Sequence, residues 1–424
     1  MSKDKSTTPI KFVLLLGDGM ADYPIESLGG KTPLEAAETP NMDRLAAEGC
    51  TGTVRTVPLG MHPGSDVANL AVLGYDPSKY YTGRGPLEAS SMGVHLGKDD
   101  IAFRCNLVTV EEGRMVDYSA GHISTEEGGE IIKSLSAHFA SSSFYPGVSY
   151  RHLLVMKKGA LDDVDRLDNN VGRLDNIDWD KIACTPPHDI TGEKIEGHLP
   201  KSDGSGNGSS ILRDLMERSV PVLAKHPVNK DRIAVGKRPA SMIWPWGQGR
   251  APKLPTFKEK YSLTGAMISA VDLLKGIGRY AGLEVIDVPG ATGFIDTNYG
   301  GKVDSALAVL RRVDFVFLHV EAPDEAGHAG DLALKIRAIE DFDSRIVGPV
   351  VRGLLDSGYR WRACVLPDHP TPIALRTHTS DPVPFAIAGF GIEPDGVRSF
   401  DEKAVSRGGY ELVEGYRLMD LLMG

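Results

Sequence analysis

The sequence predicts an α/β protein: a doubly wound parallel sheet interrupted by a smaller α+β domain. Three observations carry this prediction. Apolar strand-like runs without polar alternation occur near both ends of the chain, at 12–16, 315–320, 362–366 and 383–388. Such runs belong to parallel strands buried on both faces by helices. Helical patterns alternate with them, which is the order of a doubly wound sheet. Between them, over roughly 78–252, the texture changes to shorter strand-like pieces such as "IAFRCNLVTV", "GRMVDYS" and "YRHLLVMKKG".

In chain order, Phe12 to Leu16 form the first buried strand, stopped by Gly17-Asp18-Gly19. "TPNMDRLAAEGC" predicts a helix with Thr39 as N-cap, Pro40 in the first turn and Gly49 as the stop. In "HPGSDVANLAVLGYDP", Pro63 and Gly64 forbid a regular element, and the spacing of Val67, Leu70, Ala71 and Leu73 predicts a short helix beginning near Ser65. Prolines in "GYDP" and "APKLPTF" suit linkers, so the first domain is expected to comprise 1–76 and 253–424, and the inserted one 77–252. The stretch "LPKSDGSGNGSS" (199–210) has the composition of an exposed loop. Phe315 to Val320 form the next buried strand, followed by a loop with Asp324 and His328 and then a long amphipathic helix. "RACVLPDHP" ends in Asp368 and His369, and "VPFAIAGFG" follows soon after His378.

Composition excludes several classes. The formal charge of −10 disfavours general nucleic-acid binding. No apolar run is long enough to span a membrane, and the polar N-terminus followed by the short run "FVLLLG" is no signal peptide, so a cytoplasmic protein is expected. Cys50, Cys105, Cys184 and Cys364 lack CxxC spacing, which argues against disulfides and zinc thiolates.

The carboxyl ends of neighbouring parallel strands face one crevice. Asp18, Asp324, His328, Asp368 and His369 all follow strand runs and are expected to converge there, and His378 adds an imidazole. Singly, each fits a strand-end cap, a salt bridge or a surface histidine. Together with Ser65 they supply ligands for two divalent ions, and mixed carboxylate and imidazole donors suit manganese, zinc, cobalt or magnesium. Ser65 itself has two readings. As an N-cap its hydroxyl accepts from a backbone N–H further on. As a nucleophile it is activated by a metal while a second metal holds a phosphoryl oxygen, giving a phosphoserine. No G-x-S-x-G elbow surrounds it, so a Ser-His-Asp hydrolase lacks its signature.

Candidate contacts for an anionic small-molecule substrate are Arg104, Arg151, Lys237, Arg238 and Arg250, with Lys260 just past the insertion. Each also fits a solvated surface. His122, in "SAGHIST", is a candidate proton shuttle or a structural histidine. The glycines of "WPWGQGR" lack the strand and helix context of a dinucleotide loop, and no GxxxxGK[ST] is present.

"GDGM", "GSD", "DEAGH", "PDH" and "THT" together resemble the cofactor-independent phosphoglycerate mutases of archaeal type, in the alkaline phosphatase superfamily. "LGYDP", "YYTGRGPLEA", "FRCNLVT" and "SAVDLLKGIGRYAGLEV" extend the resemblance over nearly the whole chain. It implies an alkaline-phosphatase-like fold, with Ser65 as the phosphorylated nucleophile and manganese as the leading metal. It implies one ion on Asp18, Ser65, Asp368 and His369, and another on Asp324, His328 and His378. The implied reaction moves phosphate from 3-phosphoglycerate to Ser65 and back to the 2-hydroxyl, under an inserted domain that closes to exclude water. Where archaeal mutases carry a "DRRAGR"-like segment, this chain has Asp117-Tyr118-Ser119-Ala120-Gly121-His122, without arginine. "GDGMAD", "GSDVAN" and "AGHIST" also look like a bacterial subgroup proposed to be homoserine kinases, which sets ATP and homoserine as the alternative substrates. A plain phosphomonoesterase would share the metal chemistry, and the inserted domain argues for transfer. A non-catalytic metal-binding scaffold predicts degraded ligand positions, whereas all seven are intact.

Overall fold

A computed structural model describes residues 9–139, 142–157, 177, 179–202 and 208–424. The chain divides into two compact units, 1–81 with 253–424, and 82–252.

The first unit holds an eight-stranded sheet of β1 (Ile10–Gly17), β2 (Gly49–Arg55), β3 (Gly265–Ile268), β4 (Glu284–Ile286), β5 (Phe315–Val320), β6 (Arg360–Leu366), β7 (Val383–Gly389) and β8 (Tyr410–Glu414). The spatial order is β4-β3-β5-β1-β6-β7-β2-β8. Neighbours pair in parallel except at β7, which runs against both β6 and β2. The fourth apolar run is therefore a reversed strand inside an otherwise parallel sheet. Every residue of β5, and all but the first of β1, is buried. Continuous apolar composition follows from having helices on both faces. One face packs Val13, Leu15, Val316 and Leu318 against Met42, Leu45, Ile339 and Phe342 of the covering helices.

Four local expectations change. Thr39 precedes the Pro40–Ala47 helix but makes no side-chain cap. Asp343 instead accepts from the backbone N–H groups of Asn41 (3.1 Å) and Met42 (2.7 Å) from across the chain. Gly49 begins β2 rather than simply ending the helix. Asp324 and His328 lie not in a loop but on a short helix, Ala322–Ala329, closed by left-handed Gly330 before the Leu332–Phe342 helix begins. Pro77, placed in a linker by the sequence, starts the one-turn helix Pro77–Tyr80.

The second unit is built on a five-stranded antiparallel sheet. Ile101–Glu111 pairs with Arg114–Asp117, Arg151–Met156 and Met242–Gly249, and Ser143–Tyr145 adds to Arg151–Met156. The Thr125–His138 and Gly208–Lys225 helices bury Ile131, Leu135, Leu212 and Leu215 in a core with Phe103, Leu107 and Leu154. In the stretch 199–210, residues 203–207 lie outside the described residues. Around them, Lys201–Ser202 pairs with Ile182–Ala183 and a helix starts at Gly208, so the stretch is not loop throughout. The four cysteines form no disulfide.

Candidate active site

β5, β1 and β6 are adjacent, and their carboxyl ends deliver Asp324 and His328, Asp18, and Asp368 with His369 to one place. The turn after β1 depends on Gly19, whose φ is +60°. A Cβ there would lie 2.6 Å from both Asp324 Oδ1 and Thr371 Oγ1, so only glycine lets the three loops close together.

Two donor clusters result: Asp324, His328 and His378, and Asp18, Asp324 and His369, with ligand atoms in each within 4.8 Å of one another. His328 Nε2 is 3.2 Å from Asp324 Oδ2, and His378 Nε2 is 3.5 Å from Asp324 Oδ1. His328 Nδ1 is 3.0 Å from the Arg376 carbonyl, which only accepts, so Nδ1 carries a proton and the neutral ring's lone pair is on Nε2. The Nε2 atoms of His328 and His378 stand 2.9 Å apart. His369 Nε2 lies 3.5 Å from Asp18 Oδ1 and 3.4 Å from Asp368 Oδ2. Asp324 thus stands in both clusters, whereas the family-based partition gives it to one. Asp368 accepts from Gly19 N–H (3.2 Å), His369 N–H (3.0 Å) and Asn69 Nδ2 (2.7 Å), so its carboxylate is held on three sides.

Ser65 is the first residue of the Ser65–Val72 helix, and Gly64 occupies the N-cap position. The capping alternative is therefore replaced. Ser65 Oγ is 3.1 Å from His369 Nε2, placing the hydroxyl at the edge of the donor clusters and at the positive end of a helix.

The site is overloaded with negative charge. Burial, then Asp368 and Asp324, raise the Asp18 carboxyl well above its ordinary value. Burial, then Asp324, push Glu321 up to about 8. Burial also opposes ionisation of Asp324, but hydrogen bonds from His328 and His378 draw it well below the usual range. The bond to Asp324 lifts His328 to about 9. Asp18 Oδ1 is buried and has no hydrogen-bond partner. A bare buried carboxylate oxygen, converging imidazole nitrogens and uncompensated acids fit hard or borderline divalent cations.

Sequence reasoning missed four residues around these donor clusters. Asn69, four residues after Ser65, donates to the Ser65 carbonyl (2.9 Å) as well as to Asp368. Thr371 touches Asp324 and lies 3.3 Å from His369 Nδ1. His319, in the middle of an apolar strand, is 2.8 Å from Asp18. Lys335 is a fully buried lysine on the Leu332–Phe342 helix. A polar residue inside the run "FVFLHV" was the one readable signal among them.

The candidate substrate cations fare differently. Arg104 is buried in the second unit, 3.0 Å from Glu88 and 4.4 Å over the Trp246 ring. Burial lowers its pKa to about 10; Glu88 opposes this, and Arg84 and Arg151 add like charge. Arg151 lies over Tyr150. Arg238 is exposed and tied to Asp117 at 2.9 Å, Lys237 is exposed, and Arg250 donates to the Asp99 carbonyl at 3.0 Å. Lys260, just past the insertion, lies in the first unit and donates to the Gly74 carbonyl (2.6 Å). That is beyond the opposite end of the helix that starts at Ser65, about 12 Å away at 1.5 Å per residue. His122 is exposed, and Ala120, Gly121 and His122 have φ of 50°, 63° and 49°. Buried Arg232 holds this left-handed run through the Ala120 (2.6 Å) and Gly121 (3.2 Å) carbonyls.

A doubly wound sheet with a serine and two carboxylate–imidazole clusters at its strand ends defines a metal-dependent phosphotransferase. Residues 46–229 match the family model of 2,3-bisphosphoglycerate-independent phosphoglycerate mutase. A relative of that name from Methanothrix thermoacetophila is 56% identical over 98% of this chain and 100% of its own. A probable 2,3-bisphosphoglycerate-independent phosphoglycerate mutase from Geobacter sulfurreducens is 51% identical over 98% and 100%. Among solved structures, a Pyrococcus horikoshii protein matches with a TM-score of 0.80 at 30% identity, covering 98% of this chain and 97% of that one. The cofactor-independent phosphoglycerate mutase of Thermoplasma acidophilum matches at 0.65 and 29%, covering 98% and 99%. The chain belongs to the 2,3-bisphosphoglycerate-independent phosphoglycerate mutase family. The relatives' names favour that activity over homoserine phosphorylation. Among the described residues no helix is long and apolar enough to cross a membrane.

Proposed function

We propose that this protein interconverts 3-phosphoglycerate and 2-phosphoglycerate through a phosphoserine on Ser65, using two divalent cations, manganese first among the candidates. Asp18, Asp368 and His369 with Ser65 would hold one ion, and Asp324, His328 and His378 the other, with Asp324 near enough to serve both. When bound, the cations lower the pKa of the serine hydroxyl and offset charge on the phosphoryl group. Ser65 Oγ, having lost its proton, then forms a bond to phosphorus as the bond from phosphorus to the 3-oxygen breaks, and the 3-oxygen takes up a proton. The 2-oxygen, losing its proton, then attacks phosphorus, which breaks the Oγ–P bond, and Oγ takes up a proton to regenerate the serine. No nucleotide and no added bisphosphoglycerate enters this balance. Asn69 holds the start of the helix to Asp368, keeping the hydroxyl in place. Arg104 and Arg151 are the cations of the second unit best suited to the substrate's carboxylate, with His122 presented on its strained turn.

The placement of Ser65 Oγ, turned toward His369 instead of capping its own helix, carries this reading. The test uses one manganese-loaded preparation with 3-phosphoglycerate alone, and separately with homoserine and ATP. Formation of 2-phosphoglycerate, abolished in Ser65→Ala while metal content stays near two ions, is the expected result. Formation of O-phosphohomoserine alone, or full activity in Ser65→Ala, overturns it.

A further inference from the structure

Asp18 presents its two carboxylate oxygens to different surroundings. Oδ2 lies 2.8 Å from His319 Nε2, while Oδ1, equally buried, has no hydrogen-bond partner and faces the cluster with Asp324 and His369. His319 is wholly buried in β5, in register with Leu16 of β1. Its Nδ1 is 3.1 Å from Ser269 Oγ, and Ser269 Oγ is 3.0 Å from the Val271 backbone nitrogen.

Donor and acceptor roles along this chain follow from its ends. At one end the Asp18 carboxylate can only accept, so His319 Nε2 donates to it and Nδ1 of the neutral ring is left as the acceptor; Ser269 Oγ, which accepts from the Val271 N–H, gives its own proton to Nδ1. The neutral ring then carries its hydrogen on Nε2, facing Asp18 Oδ2. Lys302 Nζ donates to the His319 carbonyl at 2.9 Å and fixes the backbone of the same residue.

We propose that His319 is a positioning residue: with Ser269 it holds Asp18 by Oδ2, so that Oδ1 is the oxygen presented to a divalent cation. The proposal rests on the metal-centre reading above. A ligand carboxylate without such a partner rotates and shares its charge between both oxygens, and loss of outer partners of this type weakens metal affinity by about 10–100-fold.

The test titrates the metal-free full chain with Mn2+, following free ion by electron paramagnetic resonance, without substrate. His319→Phe fills the space beside Phe317 but donates nothing; His319→Gln keeps an N–H near the Nε2 position. Expected is a loss of about 10-fold or more for one ion in His319→Phe, with the other ion's affinity unchanged and most of the loss restored in His319→Gln. Ser269→Ala, which leaves the Asp18 contact in place but frees the tautomer, is expected to weaken the same ion several-fold, and decides the matter if His319→Phe does not fold. Wild-type affinity in His319→Phe or in Ser269→Ala overturns the proposal, as does a His319→Gln variant as weak as His319→Phe. A wild-type chain that binds no Mn2+ removes the metal centre itself. Absence of mutase activity with the expected order of affinities removes only the proposed reaction.

Discussion

Replacing Lys335 with methionine should destabilise the first unit by about 4–6 kcal/mol. Lys335 Nζ is fully buried and donates to Asp22 Oδ2 (2.7 Å), the Ala21 carbonyl (3.1 Å) and the Thr371 carbonyl (2.8 Å). All three ammonium protons are used. Asp22 and Ala21 follow Asp18, Thr371 follows His369, and the lysine's helix follows the one bearing Asp324 and His328, so one nitrogen ties together the three segments that bear the proposed ligands. Methionine retains the apolar stem but leaves the Asp22 carboxylate without its counter-charge, held only by the Tyr23 and Ile373 N–H groups, and breaking a buried pair from one side costs about 3–5 kcal/mol. Two carbonyls losing a charged donor add roughly 1 kcal/mol in total after local relaxation. Because most of the loss is a stranded charge, Asp22→Asn combined with Lys335→Met should recover about 2 kcal/mol or more of the single variant's loss. Amide hydrogen exchange in β1 and β6 of the metal-free protein reports on the right unit. A Lys335→Met chain whose protection falls by under about 1 kcal/mol refutes the reasoning. So does a double variant that loses the sum of the two single losses.

Three further outcomes are expected. Asp324→Asn, which removes the oxygen donor common to both clusters, should leave the purified protein short of at least one ion by elemental analysis; a full complement removes Asp324 from the ligand set. Arg104→Lys keeps a charge opposite Glu88 but loses the planar fork, so KM for 3-phosphoglycerate should rise about tenfold or more; an unchanged KM takes Arg104 out of substrate binding. Burial raises Glu402 from 4.5 to about 7. The folded state therefore binds this proton more tightly than the unfolded one, and stability present below pH 4.5 is lost as pH rises to about 7, by about 3 kcal/mol at most. Glu402→Gln, which can still meet the Asp22 N–H and the Thr32 hydroxyl, should flatten urea midpoints across that window, and an unaltered slope contradicts the assignment.

What the sequence made legible is what acts locally. Buried strands announce themselves by continuous apolar runs, and a ligand placed one or two residues past such a run inherits its position from the strand, as Asp18 and Asp368 do. The i,i+4 spacing of Asp324 and His328 was readable only as a conditional statement, because "APDEAGHAG" has the short, glycine-punctuated composition of a loop. What remained hidden is long-range. Asp343 caps a helix some 300 positions earlier, so Thr39 looked like the cap although the cap had been supplied from elsewhere. Lys335 sits on an amphipathic helix where a lysine is normally solvated, and only the meeting of two distant loops turns it inward.

The proposed ligands and their supports also differ in what they do to stability. Lys335 and Asn69 satisfy their partners and hold the loops. Asp18 and Glu321 do the opposite: burial and neighbouring carboxylates raise both, so each disfavours the folded chain when ionised without a counter-charge. A fold keeps such groups together only when surrounding contacts over-determine them. The supports and the strained donor set are therefore one arrangement. The loops are clamped from outside so that the oxygens inside can face one another, an arrangement whose repulsion the proposed cations would relieve.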